Sequence, residues 1–219
     1  MAIGLGRRRR RAVSLEEAAA PGAARCPACG EPLFVWIETE GWGPRENQVI
    51  DRCENCGLVV AREAVPAAEQ ALAALRTGRG LRAANAASLQ AWLGAENWAA
   101  LRPGDRAPKL TPRAAKLLLA SAGLAAGPIR QPAAPAIASM WQTLLNLLTF
   151  HRDFATEAAS GRLRPGTGRG RAAFFVDAAV TILAAIPTAL LAVVLEGGAL
   201  LVRRGGLIEV EALGASNGA

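Results

Sequence analysis

This chain of 219 residues has no tyrosine, one histidine, and only two lysines, Lys109 and Lys116. Its positive charge is therefore almost all arginine. With abundant alanine, that is the bias of a GC-rich bacterial genome. The lone His151 has no acid or nucleophile to pair with except nearby Asp153. Neighbours two apart on a helix point away from each other, so His151 is expected as a helix-end residue and not as an acid–base catalyst. No apolar stretch follows the basic run Arg7–Arg11; Ser14-Leu-Glu-Glu comes next. On that ground no secretory signal is expected, and the chain is expected to begin in the cytoplasm, where thiols stay reduced. The Gly/Arg stretch Gly161–Arg171 lacks both a Gly-Lys-Ser/Thr ending and a preceding strand, which excludes a phosphate-binding P-loop.

Cysteine occurs at four positions only, in two pairs: Cys26-Pro27-Ala28-Cys29-Gly30 and Cys53-Glu54-Asn55-Cys56-Gly57. Two such knuckles have the ligand count and spacing of a closed four-thiolate zinc site, with iron as the alternative metal. Four thiolates fill a tetrahedral shell and leave no position for water, so the site is structural and not catalytic. Between the knuckles, Leu33–Ile37 and Gln48–Arg52 read as strands joined by a turn at Gly41–Pro44, and the second knuckle leads into Leu58-Val59-Val60. Residues 25–65 are thus expected to form a zinc ribbon. About 40 residues bury too little core to fold without the metal.

The rest of the chain divides by composition. Residues 1–24 read as a flexible basic tail. Residues 66–160 read as mainly helical. Within them Pro66 opens a helix through Leu75, Asn85 caps Ala86–Leu93, and Thr111-Pro112 starts a helix that ends at Gly123. Ile137, Met140, Trp141, Leu144, Leu145, Leu148 and Phe154 make an apolar stripe along a helix at 136–155, with Gln142 and Asn146 on another side. Residues 161–173 are a basic linker. Near the end, Ile208, Val210 and Ala212 alternate with Glu209 and Glu211, a half-buried strand within 205–219. The fold class is α+β.

Ala178 to Leu195 is an 18-residue run without a charge, inside an apolar segment at 174–204. As a helix the run is about 27 Å long, near the hydrocarbon thickness of a bilayer. Arginines flank both ends. Three readings stay open: a single span, a membrane-embedded hairpin bent at Pro187, and a buried helical pair. The formal net charge of +7 favours anionic partners, a membrane surface or nucleic acid. Nucleic acid is the weaker reading. Glu31, Glu38, Glu40, Glu46, Asp51 and Glu54 outnumber Arg45 and Arg52 in the ribbon, the reverse of what phosphate contacts require.

Taken together, these pieces resemble bacterial class I methyltransferases dependent on S-adenosylmethionine that carry an N-terminal zinc ribbon. The carriers are the two knuckles, then Asn85-Ala-Ala-Ser-Leu-Gln-Ala-Trp-Leu-Gly94, Trp98-Ala-Ala-Leu101, and Leu110-Thr-Pro-Arg113 with Leu117-Leu-Leu and Ala122-Gly123-Leu124. The helix Trp141–Asn146 and the strand at Ile208–Val210 fit the family's ending. The resemblance covers about two-thirds of the chain. It implies a zinc cofactor on Cys26, Cys29, Cys53 and Cys56. It implies no catalytic or cofactor-binding residue, because the half that binds S-adenosylmethionine is missing. Only about twenty residues separate Val60 from Gly80, too few for its βα units. Pro103-Gly104-Asp105-Arg106 also replaces the family's Pro-Arg-His. The expectation is a non-catalytic, membrane-associated accessory protein of the cytoplasm, partnered by a membrane or by a complete methyltransferase. The alternatives are a zinc-ribbon nucleic-acid-binding protein and an active methyltransferase with a divergent site.

Overall fold

Leu33–Thr39 (β1) and Gln48–Cys53 (β2) pair antiparallel, bringing the two cysteine knuckles together at one end of the hairpin. Their register runs Leu33 with Cys53 and Val35 with Asp51, then shifts at Trp36. The third strand, Val59–Ala61 (β3), is buried throughout and pairs with β2, giving the order β1-β2-β3. The computed structural model describes residues 24–39, 48–64, 81–102, 107–165 and 169–213. The basic tail, the Gly41–Pro44 turn, the helix expected at 66–75, the Pro103–Arg106 segment and the chain after residue 213 lie outside the described residues.

A second antiparallel sheet has the order β4-β6-β5, from Leu81–Ala84 (β4), Ala125–Arg130 (β5) and Leu207–Leu213 (β6). The sequence announces β6, where Ile208 and Val210 are buried as the alternation requires. It conceals β4 and β5, which are mostly alanine, arginine and glycine. They become strands because the last segment of the chain lies between them and takes their backbone hydrogen bonds. Gly127 and Pro128 fall where the β5–β6 register shifts, the usual place for residues that weaken a ladder.

Five α-helices complete the described chain. Leu89–Gly94 (α1) is capped by Ser88, whose hydroxyl accepts from the Ala91 N–H, and not by Asn85 as expected. Asn85 instead accepts from the Ala87 N–H and donates to the Gly205 carbonyl, joining distant parts of the chain. Pro112–Ser121 (α2) starts as expected, with Thr111 accepting from the Ala114 N–H. Ala133–Asn146 (α3) is shorter than the helix expected at 136–155. Asn146 accepts from the Asp153 N–H, Asp153 adopts a left-handed conformation, and a separate helix, Phe154–Ala159 (α4), follows.

Arg169–Leu201 (α5) is one continuous helix of 33 residues, so the hairpin bent at Pro187 is not formed. The helix also begins inside the expected linker. Proline removes the donor that would have served the Leu183 carbonyl. Nearby carbonyls find side-chain donors: Thr188 Oγ1 bonds Ala184 at 2.6 Å, and Trp141 Nε1 bonds Ala185 at 3.0 Å. The Thr188 bond stays within α5, and the Trp141 bond ties the helix to α3 beside the proline. The architecture is α+β, with the cysteine cluster in the N-terminal region, one long apolar helix and a C-terminal strand.

One core joins the two sheets. Leu58, Val59 and Val60 of the cysteine unit pack in the same cluster as Trp98, Leu110, Leu118 and Ile208. Val59 and Lys109 exchange backbone hydrogen bonds of 2.9 and 2.7 Å, stitching β3 to the segment that enters α2. A smaller cluster of Met140, Leu144 and Ala192 lies between α3 and α5.

Candidate metal centre

Each cysteine pair sits on a backbone knuckle made the same way. Gly30 N–H donates to the Cys26 carbonyl at 2.8 Å, and Gly57 N–H to the Cys53 carbonyl at 2.9 Å. The first cysteine of each pair then donates its own N–H across the turn, Cys26 to Glu31 and Cys53 to Leu58. Closing this turn needs a positive φ. Gly30 and Gly57 supply it at 77° and 75° without the steric cost of a Cβ.

The four sulfurs converge. Cys26 and Cys56 are 3.5 Å apart at Sγ, as are Cys29 and Cys53, and all four ligand atoms lie within 4.8 Å of one another. Metal–sulfur bonds of about 2.3 Å in a tetrahedron place sulfurs about 3.8 Å apart, so the four thiols fit a metal ion with a small adjustment. Cys26, Cys53 and Cys56 are buried, and Cys29 reaches the surface in part. Burial pushes the Cys26 thiol up to about 11, partly offset by N–H groups of Ala28 and Cys29 aimed at its sulfur. Burial raises Cys56 further, against an opposing N–H from Leu58. At Cys29 burial also works upward, but the Glu31 N–H and the neighbouring thiols outweigh it and hold the thiol below its ordinary value. Cys26, Cys29, Cys53 and Cys56 would hold a cation as thiolates, and the N–H groups of Ala28, Cys29, Glu31 and Leu58 would steady their charge.

The second knuckle is built into the core. Thr111, the cap of α2, also donates its hydroxyl to the Cys56 carbonyl at 2.5 Å. Arg113 bonds Asn55 within the knuckle at 2.8 Å. A Cβ on Gly57 would stand 2.6 Å from the Thr111 methyl group. Asp51, almost fully buried on β2, accepts two hydrogen bonds from Arg62 at 2.9 and 2.8 Å. That bidentate bond raises the Arg62 pKa and fixes the chain leaving β3.

His151 has a partner that sequence spacing could not supply. Its Nδ1 lies 2.6 Å from Asp177 Oδ2, and the same carboxylate accepts the backbone N–H groups of Phe150 and His151 at 2.8 and 2.9 Å. Asp177, in α5, is fully buried. Asp153 points away from His151, as expected, to Asn146 and Arg102. The carboxylate of Asp177 thereby closes the turn after α3 onto α5. A second such clasp is Glu196, also fully buried, which accepts from Gln90 Nε2 at 2.7 Å and from Gly206 N–H at 2.6 Å. The signal for both was present as two acids bracketing an uncharged run, although their partners were not. On the second sheet, a shallow groove beside Arg82 and Arg130 has its charges answered by Glu209 and Glu211 at 3.3 and 3.4 Å.

Comparison with protein-family models, curated proteins and solved structures gives no match.

Proposed function

We propose that this protein is a zinc-stabilised binding protein of the cytoplasmic membrane surface, whose methyltransferase-like C-terminal portion binds and does not catalyse. The observation that carries the reading is the outer side of α5. Gly170–Leu201 is long and apolar enough to cross a membrane, and only 11% of its apolar window is buried. Large side chains such as Leu183 and Ile186 stand open to solvent at 79% and 74% exposure. Contiguous apolar surface of this kind marks an interaction site.

Zinc is the metal favoured by four converging thiols in a reducing compartment. The methyltransferase-like reading rests on the sequence resemblance alone, and the segments that carry it pack together. Asn85 donates its backbone N–H to Gly206, Ala86 donates to Leu110, and the strand at Ile208 closes over both, so the segments carrying the resemblance form one unit. A complete methyltransferase is the protein partner that this likeness suggests.

Three measurements test the reading. Purified protein should carry one zinc per chain and float with lipid vesicles. It should fail to bind S-adenosylmethionine by calorimetry when zinc-loaded. Recovery wholly in the soluble fraction, with no flotation, refutes the membrane assignment. Stoichiometric cofactor binding refutes the non-catalytic one.

A further inference from the structure

We infer that α5 lies in the plane of an anionic bilayer surface and does not cross it, its outer face in the interfacial layer and both of its ends on one side. This deepens the membrane reading above and rests on it. Three sets of contacts carry it.

First, both ends of the helix are tied to one folded body. Asp177 holds the turn at Phe150 and His151, and that turn reaches the core through Arg152 to the Trp98 carbonyl and Asn146 to the Asn97 carbonyl. Glu196 holds Gln90 of α1 and Gly206 at the entry to β6. Asp177 and Glu196 are about 28 Å apart along a helix, close to the hydrocarbon thickness. The short segment from Gln90 to Trp98 therefore links the two tied ends, Gln90 at Glu196 and Asn97 and Trp98 at the turn that Asp177 holds. A spanning α5 would carry that segment to hydrocarbon depth, with Gln142, Asn146 and the core beyond. The body occupies the inner side of the helix, so a bilayer can meet only the outer side.

Second, the outer side is apolar along its length. Ile182, Leu183, Ile186, Leu190 and Val194 are well exposed, at 75%, 79%, 74%, 66% and 69%. The helix's two acids point the other way. This gives α5 one apolar face and one protein-covered face, the arrangement of an interfacial helix.

Third, exposed arginines stand at both ends: Arg164 and Arg171 before the apolar face, Arg203 and Arg204 after it. A spanning helix concentrates such charge on one side. An in-plane helix sets all of them at one level, that of the headgroups, where each attracts anionic lipid. This charge selects a bilayer as the occupant over a second copy of the same basic chain.

The experiment uses the full-length, zinc-loaded protein with a fluorophore at Leu183→Cys or Val194→Cys, both exposed positions. Vesicles contain phosphatidylglycerol and phosphatidylcholine, with quenchers at graded depths. Equal, shallow depths are expected for the two probes. Binding should fall roughly tenfold or more with Arg203→Glu/Arg204→Glu, or in pure phosphatidylcholine. Bound protein whose probes differ in depth by about 16 Å spans the bilayer; that overturns the in-plane inference and leaves the membrane reading standing. Failure to bind any vesicle overturns both. A concentration-dependent dimer that blocks vesicle binding assigns the face to a second copy and overturns the inference.

Discussion

The two knuckle glycines share a conformation but differ in surroundings. A Cβ added at Gly30 would meet nothing within 4 Å, whereas at Gly57 the Thr111 methyl group stands in the way. Gly30→Ala should therefore cost only the left-handed strain, about 1–2 kcal/mol. Gly57→Ala adds a clash that displaces the cap of α2, and its loss of stability should be clearly larger by urea denaturation of the metal-loaded protein. Equal losses would show that the knuckle and α2 are not packed together. At the sulfurs the outcome is sharper. Cys53→Ser removes a fully buried ligand and should bring bound metal below one ion per chain by elemental analysis. Unchanged metal content would refute the four-thiolate centre.

At the scale of elements, α5 is the unusual case, an apolar helix held by polar contacts. Asp177 and Glu196 are buried carboxylates whose surroundings consist of hydrogen-bond donors. Replacing one by alanine leaves those donors unanswered, at about 1–3 kcal/mol each. Asp177→Ala should lower global stability by several kcal/mol and raise hydrogen exchange at Phe150 and His151. Protection unchanged there would mean that the turn holds itself. Trp141→Phe removes the donor to Ala185 beside Pro187 and should cost about 1 kcal/mol, with faster exchange confined to the middle of α5. The sequence disclosed the strength of α2, because a threonine cap and a first-turn proline act locally. It misplaced the cap of α1, because Ser88 and Asn85 are both good caps and only the contact with Gly205 commits Asn85 elsewhere.

For the whole molecule, the core shared by the two sheets has a consequence for metal removal. The cysteine unit shares buried neighbours with α2 and β6, and Thr111 serves both the knuckle and the helix. Chelation should therefore lower the melting temperature of the entire protein in one transition and expose amides of residues 112–121. Two separate transitions, with α2 protected in the metal-free protein, would make the cysteine unit an independent domain. Leu118, fully buried in this joint core, should cost about 2–5 kcal/mol as Leu118→Ala by urea denaturation of the metal-loaded protein.

The sequence by itself determined the cysteine tetrad, the β1–β2 hairpin, the start of α2, the half-buried final strand and the existence of one long apolar segment. All of these follow from short-range chemistry: ligand spacing, caps, and periodicities of two or 3.6 residues. Tertiary structure alone decided the rest. It made strands of Leu81–Ala84 and Ala125–Arg130 by offering them β6, paired His151 with an acid 26 residues away, and joined the knuckle to α2. It also chose between the hairpin and the continuous helix at Pro187, because the donors beside that proline, Thr188 and Trp141, include one from another helix. Contacts between distant residues leave no period in a sequence; they exist only once the chain has closed on itself.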